Sequence, residues 1–243
     1  MKVYGIRKIH AQLLKQDLLV ARCTVERLCK LLGIRGQVRG RFPRTTRPAP
    51  ETRRPADLVN RQFHASAPNR LWVADITYVR TKSGWVYVAF VLDVYSRMIV
   101  GWQASTRMHV DLALDALKMG LFARRRAGQD LSALVHHSDR GVQYRAVRYT
   151  QSLEEASAVA SVGSKGDSYD NAMAEALNSL YKHELIHLDG PWEGWEDVEA
   201  ATAEWVGWFN HDRLHSMLGY KSPVEVEQAY WACREDERAA LAA

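Results

Sequence analysis

Between Leu71 and Thr106 the chain passes through three apolar, β-branched stretches in quick succession, and this pattern limits the fold more than any other feature. LWVADITYVRT (71–81) reads as one strand, Lys82-Ser83-Gly84 as a turn, and WVYVAFVLDVYS and MIVGWQAST as a second and third strand. Connections this short join antiparallel neighbours, so the three strands form a meander. Beyond them the period changes. DLALDALKMGLFARR (111–125) is helical, SALVHHSD reads as a short buried strand ending at Asp139, a helix is predicted over Tyr144–Ala156, and AVASVG reads as a fifth strand. Three strands followed by alternating helix and strand predict a mixed sheet covered by helices, an α/β layered domain.

Three carboxylates stand out against this frame. Asp75 lies inside the first strand, where an acid is out of place among β-branched neighbours. Asp139 sits 64 positions later, where the apolar run gives way to a polar turn, and Glu175 follows after another 36, within the helical pattern DSYDNAMAEALNSLYK. On a helical wheel Met173, Ala176, Leu177, Leu180 and Glu184 share one side, with Tyr181 at its edge; Glu175, Asn178, Ser179 and Lys182 fall opposite. Ser168 or Asp170 is the expected cap. Three acids delivered by separate elements to one end of a sheet would make an oxygen-rich site for hard divalent cations, suited to phosphoryl transfer.

Charge is distributed unevenly. The net charge is +5, yet residues 1–70 hold 16 Lys and Arg against four acids, which leaves the rest of the chain acidic. A basic N-terminal third suggests an arm that neutralises phosphates. YGIRKIHAQLLK places Ile6, Ile9 and Leu13 at helical spacing, and CTVERLCKLLG places Val25, Leu28 and Leu32 on one stripe with Gly33 as a stop. Two short helices with Arg22, Arg27 and Lys30 turned outward fit a helix-turn-helix. Residues 36–54 are rich in Pro and Arg, without periodicity, and read as an extended linker. The expected division is 1–36 helix-turn-helix, 37–65 linker, 66–190 catalytic core and 191–243 a helical C-terminal extension.

In that extension Trp195, Val198, Trp205, Val206 and Phe209 form an apolar packing stripe, and Ser222-Pro223-Val224-Glu225 has the form of a capping box. His211 and His215 are four apart, but no further Cys/His pair has zinc-site spacing. Three cysteines form no paired framework, no apolar stretch approaches a membrane span, and no secretion signal is present. These features argue against a disulfide scaffold and a membrane anchor, and a reduced cytosol is the expected compartment.

The segments YGIRKIHAQL, WVADITYV, YVAFVLDVYSRMIVGW, HHSDRGVQY, SVGSKGDSYDNAMAEALNSLYKHELI and WFNHDRLHSMLGYKSP, in this order, resemble the second-frame (OrfB) transposases of the IS-three family, in the retroviral-integrase superfamily. The resemblance spans nearly the whole chain, and the family's acidic triad falls on Asp75, Asp139 and Glu175. It implies a ribonuclease-H-like core behind a DNA-binding helix-turn-helix, which hydrolyses a phosphodiester at the element's end and directs the freed 3′-hydroxyl at another. Asp75 and Asp139 would hold two Mg²⁺ (or Mn²⁺) ions, with Glu175 completing one shell.

The same resemblance implies that Lys182 and Asn178 touch DNA near the cut. His137 and Arg140, flanking Asp139, either position phosphates or support the fold. Asp93 is expected to be a fold feature that contacts Arg97. Implied partners are terminal inverted repeats, target DNA, further copies of the chain and the upstream-frame (OrfA) protein. The family usually carries more residues before its Tyr-Gly motif than the three that precede Tyr4 here. The competing expectation is therefore a truncated, catalytically silent DNA-binding regulator; a metal-dependent nuclease of unrelated role is a third.

Overall fold

A computed structural model describes residues 3–37, 64–139, 144, 147–162 and 172–242. The meander forms as its pattern predicts: β1 (Leu71–Thr81), β2 (Gly84–Asp93) and β3 (Ile99–Ser105) pair antiparallel, with Asp75 opposite Phe90 and a bulge at Val91/Leu92. β4 (Val135–Ser138) lies parallel to β1, and β5 (Val159–Val162) parallel to β4. The sheet order is β3-β2-β1-β4-β5, the mixed, helix-flanked sheet expected of a ribonuclease-H-like core. The crossover helices are α3 (Val110–Arg126), between β3 and β4, and α4 (Val147–Glu155), between β4 and β5.

Period-two alternation divides the sheet's two faces. Trp72, Ala74, Ala89 and Val91 pack with Leu114, Leu117 and Leu121 of α3 and Tyr149 and Leu153 of α4. Val73, Val79, Val88, Phe90 and Leu92 face the opposite layer, built by α5 (Ala172–Tyr181) and α7 (Trp195–His211). Phe90, Tyr181, Trp205 and Phe209 form an aromatic chain there, with successive ring centroids 5.1, 5.2 and 4.9 Å apart. Each ring buried this way contributes roughly 1.5–3 kcal/mol. The cluster clamps α5 and its glutamate onto β1 and β2.

The buried side of α5 differs from its wheel. Met173, Ala174, Leu177, Asn178 and Tyr181 face inward, while Ala176 and Leu180 are half-buried. Asn178 turns inward because a polar partner waits there. The helix then widens into a π-turn over Lys182–Ile186, continues as α6 (His187–Asp189), and Glu184 is buried against Arg213 rather than among apolar groups.

At the N-terminus α1 (Ile6–Lys15) and α2 (Arg22–Leu31) form the predicted helical pair. The stripe of α2 is corrected: Val25 and Cys29 are its buried residues, and Leu28, Leu31 and Leu32 are exposed. The pair is tied to the C-terminal extension. The Leu214 backbone N–H donates to the Tyr4 hydroxyl at 2.8 Å, and Lys15 pairs with Glu225 at 2.5 Å. Ser222 and Glu225 make the predicted capping box at the start of α8 (Pro223–Ala242). Most of the Pro/Arg-rich linker, Arg140 and the candidate caps Ser168 and Asp170 lie outside the described residues. Among the described residues no helix is long and apolar enough to cross a membrane.

Candidate active site

Strand register places the two aspartates. Ala74 pairs with Ser138 across the parallel β1–β4 ladder, so Asp75 and Asp139 are the next residues on adjacent strands, at the same end of the pairing. Neighbouring strands run about 4.8 Å apart, so the two carboxylates begin from adjacent backbone positions. Asp75 is half-buried on the face that carries Val73 and Phe90, which is the face α5 covers.

Helix α5 supplies the remaining groups. Asn178 is buried and donates its amide N–H to Asp75 Oδ2 at 2.9 Å, while the Ile76 backbone N–H donates to Asp75 Oδ1 at 2.9 Å. Glu175, one turn earlier, is exposed. Burial, then the charge of Asp139, push the Asp75 carboxyl up from 3.8 to about 8, with Glu175 adding to the rise. The three acids thus share one electrostatic field. Among the described residues no three His, Cys, Asp or Glu side chains are gathered in a form that could hold a metal ion.

Tyr144 joins this field. Burial, followed by the charges of Asp75 and Asp139, raises its phenol well above the usual value, and its ring meets Tyr149 edge-on at 5.4 Å. Sequence reasoning missed it; the available signal was its place at the end of HHSDRGVQY, five residues after Asp139.

The other sequence candidates fall into place as follows. Lys182 lies over the Tyr78 ring, 4.3 Å from its centroid. His137 is fully buried, bonded through Nδ1 to Ser161 Oγ at 2.9 Å, and so supports the sheet rather than presenting a ring to DNA. Arg22, Arg27 and Lys30 are exposed on α2. Asp93 is a fold feature, with a different partner from the one expected. Its carboxylate accepts from Asn69 N, Trp72 Nε1, Tyr95 N and Ser96 N and lies 4.0 Å from Arg124, whereas Arg97 reaches Asp93 only through main chain. His211 is exposed, while His215 is buried beside Arg213, so the two form no metal pair.

A five-stranded mixed sheet, acids at the matched ends of β1 and β4, and a third acid on a covering helix define an integrase-type nucleic-acid enzyme. Family comparisons agree: an integrase core domain matches residues 65–168, a second integrase core domain model matches 159–223, and an HTH-like domain matches 2–42. The chain is 52% identical to a protein of Mycobacterium tuberculosis named for insertion sequence element IS986/IS6110, over 96% of this chain and 84% of that one. It is 51% identical to the transposase for insertion sequence element IS629 of Shigella sonnei, over 95% of this chain and 76% of that one. The fold resembles the HTLV-2 integrase catalytic core domain, solved in complex with magnesium, with a TM-score of 0.51 and 14% identity over 68% of this chain and 99% of that one. The chain belongs to the insertion-sequence transposases with an integrase core, the second-frame family its motifs resemble.

Proposed function

We propose that this transposase cuts and joins DNA strands at insertion-sequence ends with Asp75, Asp139 and Glu175 as its catalytic carboxylates. The observation that carries the reading is the β1–β4 register, which delivers two acids side by side beneath the helix that bears the third. The donor types suit hard divalent cations: they are carboxylate oxygens, and burial first, then the charges of Asp139 and Glu175, raise the Asp75 carboxyl, a rise that a cation would oppose. Buried Asn178 Oδ1, without a hydrogen-bond partner among the described residues, adds a further oxygen acceptor beside them. Bound Mg²⁺ or Mn²⁺, two ions per site, supplies the Lewis acidity that phosphodiester hydrolysis and strand transfer need.

The chain's own residues position that chemistry. The Asn178 amide fixes one oxygen of Asp75, and the Ile76 amide fixes the other. Lys182, seven residues beyond Glu175 at the start of the π-turn that follows α5, is set to hold a DNA phosphate near the cut. Arg22, Arg27 and Lys30 on α2 hold duplex DNA, and the expected division into helix-turn-helix, linker, core and extension assigns end recognition to the first segment. Two ends must be cut together, so the working form is a homo-oligomer, with the OrfA protein as a further partner. The site of action is the nucleoid of the bacterial cytoplasm.

The test is strand cleavage of labelled duplexes taken from the DNA that flanks the gene. Wild type is expected to nick at a 3′ end with Mg²⁺ or Mn²⁺ and not with EDTA, and Glu175→Gln to bind without nicking. Cleavage that survives Glu175→Gln removes the metal-site assignment; binding without nicking by both proteins favours the silent regulator.

A further inference from the structure

Among the described residues three tyrosines are buried, and two of them have a partner for the hydroxyl. Tyr149 Oη bonds His136 Nε2 at 3.0 Å, and Tyr181 Oη bonds Thr202 Oγ1 at 2.7 Å. Tyr144 has none: its hydroxyl is buried without a hydrogen-bond partner among the described residues. The large majority of buried polar atoms are bonded, and a phenylalanine ring would fill the same volume without taking an O–H out of water. Packing therefore does not account for the hydroxyl.

Its surroundings do. The Tyr144 ring packs in the layer built by α3 and α4, edge-on to Tyr149 at 5.4 Å, and Tyr149 is itself held by His136. Asp75 lies on the other face of the sheet, so the route between them runs past the end of a strand and not through the sheet. β4 pairs with β1 only as far as Ser138 opposite Ala74, whereas β1 runs on to Thr81. The described ladder leaves that edge of β1 open beyond Ala74, and Asp75 and Asp139 stand at the opening. Tyr144 follows Asp139 by five residues, and the charges of both aspartates bear on its phenol. A second orphaned atom, Asn178 Oδ1, borders Asp75 from the α5 side.

We propose that Tyr144 is a positioning residue of the acidic site: its O–H donates to the Asp75–Asp139 carboxylates when they are ionised around a divalent cation, and fixes the oxygens that hold it. The role rests on the function proposed above and adds a residue to it. A carboxylate offers about four acceptor sites, which the cation and the Asn178 and Ile76 amides do not exhaust at Asp75. Outer contacts of this kind set the orientation of carboxylates that bind metal ions.

The full chain is followed by thermal melting, and by nicking of labelled duplexes taken from the flanking DNA, each across a Mn²⁺ series that begins in EDTA. Tyr144→Phe keeps the ring and removes the hydroxyl. In EDTA the variant is expected to melt no lower than wild type, because the group it lacks has no partner there. A cation held only by the folded chain raises the melting temperature, and the variant is expected to need about 10- to 100-fold more Mn²⁺ for the same rise. Its nicking is expected to shift along the Mn²⁺ series by the same factor, while its affinity for duplex in EDTA stays at the wild-type value. A variant that melts lower in EDTA with unchanged Mn²⁺ dependence overturns the proposal and makes the hydroxyl a structural group. Mn²⁺ curves that superimpose on those of a responsive wild type sink the positioning role alone. A wild type whose melting ignores Mn²⁺ and which nicks nothing overturns the acidic-site reading itself, and the role of Tyr144 with it.

Discussion

Asn178 looks, from its wheel position, like a residue facing DNA, yet its amide is buried and spent on Asp75 Oδ2. It orients a carboxylate rather than a phosphate. Groups in this supporting position typically carry about 10- to 100-fold in activity or metal affinity. Asn178→Ala is therefore expected to lower nicking by about that factor while leaving DNA affinity near wild type, measured by gel shift beside the cleavage assay. A second residue-scale prediction concerns pH. Burial, then the charges of Arg213 and Lys8, lower the His215 imidazole from 6.5 to about 3, so it is neutral in the folded chain. The unfolded chain takes up that proton below its ordinary value, and the contribution of His215 to stability, complete above pH 6.5, is lost as pH falls towards 3. His136, held neutral beside Tyr149 by burial, behaves alike. A pH series of thermal melts should fall less steeply across this window in His215→Gln than in wild type.

The catalytic face depends on how closely elements approach. Gly101 on β3 lies against α3 so tightly that a Cβ would stand 2.0 Å from the Ala116 carbonyl oxygen. Main chain cannot yield as a side-chain tip can, so Gly101→Ala forces helix and sheet apart. Overpacking of this kind costs about 1–3 kcal/mol or more, and denaturant unfolding should show at least that loss. The meander, its turn and both crossover helices were legible because their apolar periods are strong and local. The buried faces of α2 and α5 were not. Both helices carry more apolar positions than their contacts cover, and a polar residue such as Asn178 is drawn inward only by a partner 103 positions away.

Across the whole molecule, buried charges join segments that are remote in sequence. Arg124 on α3 forks onto Glu227 of α8, Ser96 donates to the same carboxylate at 2.7 Å, and Asp93 lies 4.0 Å from the guanidinium. Removing one partner leaves an uncompensated buried charge, at a cost of about 3–5 kcal/mol. Arg124→Met should lower the melting temperature accordingly and open α8 to protease, read by limited digestion. The Glu184–Arg213 ion pair ties the π-turn after α5 to the C-terminal extension, and the Leu214 N–H to Tyr4 hydroxyl bond ties the extension to the helical pair. The basic helical pair is thereby held beside the core rather than trailing from it. Phosphate contacts by that surface release counterions, so DNA affinity should fall by about 10³ or more between low and physiological salt; a flat response in a salt titration would remove the arm's role.

What the sequence determined by itself was whatever short-range periodicity and spacing encode. That includes five strands and their crossover helices, the basic N-terminal pair, the capping box at Ser222 and three acids at family spacing. Tertiary structure alone decided what those side chains meet. It placed Asp75 beside Asp139 by parallel register, turned Asn178 onto Asp75, buried His137 against Ser161, gave Asp93 to Arg124, and buried the Tyr144 hydroxyl without a partner among the described residues. The reason is physical. Helix and strand periods follow from local backbone geometry, whereas the partner of a polar or charged group is chosen by which surfaces packing brings together.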